Sequence, residues 1–253
     1  MTALSVNLNK IALLRNARDI GIPSVAGAAR TCVAAGAHGI TVHPRPDQRH
    51  IRPADVYELA DMLTVEFNIE GNPFAEPGGT YPGFMAIVRE VRPAQCTLVP
   101  DDPGQKTSDH GWDLIADGDR VRPIVDELKA LGIRVSLFMD PVLEQIERAG
   151  ELAPDRIELY TEAYARACAE GDVEAVFNRY ARAAAKAREV GLGVNAGHDL
   201  NLDNLARFCA IPGILEVSIG HALVSDALEM GLATAVRKYV EILRAESAGG
   251  SDG

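Results

Sequence analysis

The chain has no run of about eighteen consecutive apolar residues, the length a membrane-crossing helix needs, and its opening residues, Met1 to Asn7, carry no basic segment leading into an apolar one. A soluble, cytoplasmic protein is the expectation. Basic charge is scarce: 25 Lys and Arg face 36 Asp and Glu, for a formal net charge of −11. That balance opposes general attraction to nucleic acid or anionic membrane, so neither is expected as a partner, and any cationic site must be local. No two of the four cysteines, Cys32, Cys96, Cys168 and Cys209, form a CxxC pair, and three stand in apolar runs, so reduced core thiols are expected. The spacings HxH and HExxH, which set two imidazoles on one metal, are missing. No metal is therefore expected, although histidines distant in sequence could still converge on one.

What the chain does have, at 253 residues and 47% hydrophobic content, is enough apolar material for one barrel-sized domain or two smaller ones. Short β-branched or apolar runs recur at Leu4 to Leu8, Gly39 to His43, Phe67 to Glu70, Cys96 to Val99, Arg134 to Phe138, Ile157 to Tyr160, Gly193 to Ala196 and Glu216 to Ile219. Between and after them lie segments of helical periodicity: Val25 to Ala35, Ala54 to Leu63, Phe84 to Val91, Arg120 to Leu131, Pro141 to Ala149, Val173 to Val190, Leu202 to Cys209 and Leu223 to Ala245. Asp140-Pro141 offers a helix start, and Gly36, Gly132 and Gly191 offer helix ends.

Eight strand–helix units of about thirty residues fit a (β/α)8 TIM barrel better than the runner-up, an open doubly wound sheet. The barrel is expected over residues 1–247, with 248–253 as a frayed tail. Gly71 to Pro82 is too rich in Gly and Pro for regular structure and reads as a loop over the third strand's end. Thr161 to Asp172 has room for an extra short helix after strand six.

The stretch from Gly39 to His50 is the most informative. Ile40, Thr41 and Val42 favour a buried strand, and Pro44 and Pro46 then hold an extended loop, so His43, Arg45 and His50 gather at the strand's carboxyl end. Taken alone this is an ordinary strand and loop. In a parallel barrel, however, all carboxyl ends open on one face, and the other ends carry Asn7, Asn9 and Lys10, Glu70, His198 and His221, with Glu158 inside strand six. The last two histidines share a Gly-His form, Gly197-His198 and Gly220-His221, in the loops where this fold commonly binds phosphate. His43, Glu70 and His198 are the candidates for general acid and base catalysis. The bland alternative for Glu70 is a salt-bridged rim carboxylate. Arg18 and Arg45 follow strand ends where a guanidinium can bind phosphate through two hydrogen bonds, while Arg49 and Arg52 are expected to be solvated.

With these residues on one rim, the sequence resembles the pyridoxine 5′-phosphate synthase family from about Leu4 to Ala245. The resemblance rests on Val6-Asn7 with Leu14 to Arg18, Gly39 to His43 with Arg45 and Arg49-His50-Ile51, Asn68-Ile69-Glu70, and Leu98-Val99-Pro100. It continues through Val135 to Phe138, Val194 to His198 and Ile219-Gly220-His221-Ala222. It implies condensation of 1-deoxy-D-xylulose 5-phosphate with 3-amino-2-oxopropyl phosphate to pyridoxine 5′-phosphate, inorganic phosphate and water, without a cofactor.

It implies His43 and Glu70 as proton acceptors, His198 as proton donor and Glu158 as a stabiliser of charged transition states. Asn7, Arg18, Gly220 and His221 would hold the aminoketone phosphate; Arg45, His50 and Ser108 would hold the deoxyxylulose phosphate. The chain departs from the family where Asn9-Lys10 replaces Asp-His, Ser108 replaces Thr and Asp199 replaces Gly, and its loop after Glu70 is longer than usual. The family's homo-octamer is implied as the assembly. Competing readings are another barrel lyase or isomerase acting on a different phosphorylated ketose, a non-catalytic barrel that binds a phosphate ligand, and a metal-dependent hydrolase.

Overall fold

The computed structural model describes residues 1–102, 104–105 and 107–249. Eight parallel strands close on one another in chain order: β1 Ala3–Asn7, β2 Gly39–Val42, β3 Glu66–Gly71, β4 Gln95–Leu98, β5 Arg134–Met139, β6 Arg156–Tyr160, β7 Gly193–His198 and β8 Ile214–Ile219. β8 pairs with β1, with Ala3 opposite Glu216 and Val6 opposite Ile219, so no edge is left. The expected eight strands are present within two residues of their expected bounds, and the closed parallel barrel replaces the open-sheet alternative.

The helices are α1 Asn9–Asn16, α2 Val25–Ala34, α3 Pro53–Met62, α4 Phe84–Val91, α5 Leu114–Ala130, α6 Leu143–Leu152, α7 Glu162–Glu170, α8 Glu174–Glu189, α9 Leu205–Cys209, α10 His221–Met230 and α11 Leu232–Gly249. The extra helix expected after strand six is α7. The segment expected to be a tail falls partly in α11, and its remainder, 250–253, lies outside the described residues.

Alternation along the strands sends apolar side chains out to the helices. Leu4, Val6, Ile40, Val42, Ile69, Cys96, Leu98, Val135, Leu137, Ile157, Leu159, Val194, Val217 and Ile219 are all fully buried in that outer layer with Leu59, Val88, Val125, Ile146 and Val236 from the helices. Burying one such side chain stabilises the fold by about 1.5–3 kcal/mol.

The opposite strand face looks into the barrel and is polar: Ser5 Oγ and Thr41 Oγ1 are 2.7 Å apart, the Asn68 amide donates to Thr41 at 3.3 Å, and Thr97 donates to Asn68 at 3.1 Å. A TIM barrel more often fills this space with branched apolar residues. Here the lumen itself is hydrogen-bonding material.

Four local expectations are corrected. Asp140 does not cap a helix; α6 starts at Leu143, and the Asp140 carboxylate instead accepts from the Gly111 amide at 3.0 Å, where a Cβ on Gly111 would come within 2.2 Å of the Asp140 nitrogen. α5 starts at Leu114, six residues before the expected Arg120, capped by Asp113, and runs through Pro123. The helix expected over Leu223 to Ala245 is two, divided at Gly231, whose φ of 82° ends α10. α1, unanticipated, begins two residues after β1. The expected stops hold: Gly36, Gly132 and Gly191 follow α2, α5 and α8 with φ of 104°, 77° and 83°. All four cysteines are free thiols, Cys32 and Cys96 buried, Cys168 and Cys209 half-buried.

Candidate active site

At the carboxyl end of the strands a cavity of about 280 Å³ is lined by Asn7, Asn9, Lys10, His43, Arg45, His50, Glu70, Thr107, Ser108, His198, Asp199, Ser218, Gly220 and His221. Every expected site residue is there except Glu158 and Arg18. Thr107 and Ser218 were not anticipated.

Side chains on the first two units fix the bases. The Asn7 carbonyl accepts from the Asn9 amide at 3.0 Å while its amide donates to Glu70 Oε2 at 3.3 Å. Asn9 in turn accepts from the backbone N–H of His43 at 2.9 Å. Asn9 thus supplies the acceptor that a carboxylate would supply at this position, but no charge.

The loop carrying His50 is held from beneath. Arg15 forms a buried two-pronged ion pair with Asp55, and Arg15 Nη2 and the Asn16 amide donate to the His50 carbonyl at 3.1 and 2.8 Å. His50 Nδ1 accepts from the Ile51 amide at 2.9 Å, which leaves Nε2 as the nitrogen free to face the cavity, edge-on to His43 with ring centroids 6.1 Å apart.

Burial sets the protonation states. His43 is held well below the usual histidine range by burial, then by Arg45 and its histidine neighbours. His50 is pushed down to about 3 and His198 to about 4 by the same two causes, burial first and nearby cations second. All three are therefore neutral near pH 7 and able to take a proton. Glu70 moves the other way, up to about 8, through burial and then the charges of Asp101 and Glu216. It holds its proton at neutral pH. The bland reading of Glu70 as a salt-bridged rim carboxylate does not match this geometry: its hydrogen bond comes from an amide, and it is buried.

Glu158 lies one layer deeper on β6. It is buried, neither carboxyl oxygen finds a hydrogen-bond partner among the described residues, and burial followed by Glu70 and Glu216 raises it well above the carboxylate range. Gly197 makes its room, since a Cβ there would stand 2.2 Å from Glu158 Oε1. The next residue, His198, has φ of 90°, rare for any residue but glycine, and its ring packs against Phe138 and Tyr160 at 4.9 and 5.4 Å. Thr161 Oγ1 donates to the Gly197 carbonyl at 2.7 Å and pins this corner. Burial and Glu162 raise the Asp199 carboxyl beside it.

Two groups whose chemistry suits an anion line the cavity. In one, Gly220 precedes the first turn of α10, whose opening amides have no partner within the helix and so present partial positive charge. The other comprises Arg45, His50, Ser108 and Lys10. Arg18 is exposed just beyond α1 and does not line this cavity; the exposed side chains Leu14, Ile20 and Ile22 flank it in sequence. Arg49 and Arg52, expected to be solvated, pair with Asp47 at 2.6 Å and Asp19 at 2.9 Å.

A larger neighbouring cavity of about 670 Å³ shares His43 and Arg45 and is walled by Phe74, Tyr81 and Trp112, with the Arg120 guanidinium 3.9 Å over the Phe74 ring. Its aromatic polar tips are tied to backbone carbonyls, Trp112 to Leu98 and Tyr81 to Pro44. His43, Glu70 and His198 converge on the smaller cavity. Among the described residues no group of three or more His, Cys, Asp or Glu is disposed to hold a metal ion, and no helix is long and apolar enough to cross a membrane.

Comparison with known proteins follows the same line. The model of the family described as pyridoxal phosphate biosynthesis protein PdxJ matches residues 4–245. A pyridoxine 5′-phosphate synthase of Xanthomonas axonopodis pv. citri (strain 306) is 57% identical over 247 residues, 96% of this chain and 97% of its own. That of Xylella fastidiosa (strain M23) is 55% identical over 246 residues, covering 96% and 95%. Among solved structures, a ligand-free tryptophan synthase from M. tuberculosis superposes with a TM-score of 0.64 at 13% identity, covering 96% of this chain and 93% of its own. Phosphoribosylanthranilate isomerase from Thermotoga maritima superposes with a TM-score of 0.55 at 13% identity, covering 97% and 100%. At such identities the structural likeness speaks for the fold alone.

Proposed function

The chain belongs to the pyridoxal phosphate biosynthesis PdxJ family, and from that membership we propose how its residues divide the work of pyridoxine 5′-phosphate synthesis. The enzyme is a ring-closing synthase on small phosphorylated substrates. It condenses 1-deoxy-D-xylulose 5-phosphate with 3-amino-2-oxopropyl phosphate, releasing inorganic phosphate and water. The chemistry needs an imine, enolisations and dehydrations, each a proton transfer at a carbon framework whose ends are anchored.

In this reading the α10 amino terminus, Gly220, His221 and Asn7 hold the aminoketone phosphate, and Arg45, His50, Ser108 and Lys10 hold the deoxyxylulose phosphate. Asn9 and Asp199 border the two. His43, neutral and fixed by Asn9, takes a proton. Glu70, held by Asn7, accepts one when ionised and returns it when protonated. His198 donates a proton: two bound phosphates bring negative charge beside it, which favours its charged form against the cations that depress it in the free protein. Glu158, directly under the His198 corner, stabilises charged transition states. Arg18 would meet the aminoketone phosphate only from outside the cavity described above.

The observation that carries the reading is the convergence of His43, Glu70 and His198 in one cavity with Arg45, Lys10 and the amino terminus of α10. Purified protein given both substrates without added metal is expected to form pyridoxine 5′-phosphate, followed by absorbance and chromatography. No product from folded protein would overturn it.

The assembly is proposed as a homo-oligomer, an octamer by family likeness. The exposed side chains Leu13 and Leu14 of α1, Ile20 and Ile22 beyond it, and Leu228 of α10, which packs on α1, support an interface there between copies. Light scattering on the eluted protein measures the count. Cytoplasmic location belongs to the same proposal, and cell fractionation tests it.

A further inference from the structure

Asp101, just beyond β4, was not among the residues expected in the site. It is 5% exposed, and one of its oxygens is where the deoxyxylulose-phosphate donors meet: Oδ2 accepts from Arg45 Nη2 and from Ser108 Oγ at 2.8 Å, and lies 3.8 Å from His43 Nε2. Its other oxygen, Oδ1, is buried with no hydrogen-bond partner among the described residues. The neighbouring contacts hold it in place, as the Asn72 amide donates to the Asp101 carbonyl at 2.8 Å and Arg45 Nη1 donates to the Gln105 carbonyl at 3.4 Å. A group meant only to orient Arg45 would use both oxygens in a two-pronged pair, as Asp55 does with Arg15 in the same protein. Asp101 instead offers one oxygen to two different donors, with the His43 ring alongside, which is how a phosphate oxygen is received.

We propose that Asp101 is an internal stand-in for the substrate phosphate, occupying the Arg45–Ser108 donors in the free enzyme and giving them up to the deoxyxylulose phosphate on binding. The inference rests on the assignment of Arg45 and Ser108 to that phosphate. The orphaned Oδ1 makes the internal pairing an incomplete one, so exchange for a phosphate, which can satisfy Arg45, Ser108 and His50 together, is favourable. Because an internal anion competes for the same donors, the measured affinity is lower than the intrinsic one by the fraction of molecules in which the donors are free. Asp101 therefore acts on KM for one substrate.

The test is Asp101→Asn, with Asp101→Ser as a second variant of smaller volume, each verified as folded by circular dichroism. Inorganic phosphate is titrated by calorimetry, and KM is measured for both substrates. Removing the competing charge is expected to tighten inorganic phosphate and lower KM for deoxyxylulose phosphate by on the order of ten-fold, with KM for the aminoketone phosphate unchanged. Weaker phosphate binding, or no change, in both variants would overturn the proposal and make Asp101 an orienting group for Arg45. Arg45→Leu separates the underlying assignment: an unchanged KM for deoxyxylulose phosphate in this variant removes Arg45 from that phosphate's site whatever Asp101 does.

Discussion

At the amino-terminal end of the barrel Glu66 and Glu216 each meet arginine, whereas at the carboxyl end Glu158 accepts no hydrogen bond among the described residues and Glu70 takes a long one from an amide. The lower network is complete. Arg134 Nη1 donates to Glu66 at 3.0 Å and its Nε to Gln95 at 2.9 Å; Gln95 donates to Glu216 at 3.2 Å; Arg156 Nη1 donates to Asn195 at 3.0 Å and to Glu216 at 3.4 Å. Glu216 is as buried as Glu70, and burial raises both, but for Glu216 the next influence is Arg156, which lowers it. For Glu70 the next influences are other acids, which raise it further. The same residue type in the same lumen is thus an ion-paired strut at one end and, in the proposed reading, a proton-exchanging group at the other, and what separates them is the charge of their neighbours.

The sharpest way to break this comparison is to remove one group from each end. His43→Ala is expected to cut turnover by about 10²–10⁴-fold, the range for loss of a general base, while circular dichroism and thermal unfolding stay near the parent. Near-parental turnover would take His43 out of the mechanism. Arg156→Ala should do the reverse. It is expected to cost about 2 kcal/mol in denaturant unfolding, less than the 3–5 kcal/mol of a fully buried pair because Arg134 and Gln95 remain on Glu216, with kcat of the folded protein unchanged. A kcat collapse in folded Arg156→Ala would dissolve the distinction between the two ends.

A smaller effect sharpens the claim about Glu70. Its folded-state value, about 8, stands above the ordinary 4.5. Folding therefore retains a proton that the unfolded chain releases, so this group's contribution to stability is full below pH 4.5 and is lost as pH rises through about 8. Glu70→Gln, which cannot ionise, should gain Tm over the parent progressively across that interval and show no further gain above it. A Tm difference that does not vary with pH would mean that Glu70 is ionised in the folded protein.

Much of the carboxyl-end site was legible because a parallel barrel makes strand ends converge, so β-branched runs ending in His43, Glu70 and His198 were enough to place these groups together. Other features depend on contacts that spacing does not encode. α1 was missed because Asn9 to Asn16 starts directly at a strand end and its helical face is a single short turn-pair. With it went the Arg15–Asp55 clamp under His50. Asp101 was missed because the acid pair Asp101-Asp102 reads as solvated loop; its position immediately past a strand end was the available signal. The room that Gly197 leaves for Glu158, and the positive φ of His198 beside it, come from β6–β7 register, which no local pattern reveals. The ionic lower network was equally hidden, since Arg134, Arg156 and Glu216 at strand starts look like surface charges until the barrel closes.

The central claim, that an acid raised by burial and by other acids works as a base of the carboxyl-end site beside His43, is tested most directly by kcat/KM against pH, which reports the free enzyme. The account predicts that kcat/KM rises as pH passes through about 8, where Glu70 ionises, and then levels. Across the same range the neutral histidines should add no break, because the values of His50 and His198 lie near 3 and 4. A profile that is flat from pH 6 to 9, with Glu70→Gln as active as the parent, would contradict it.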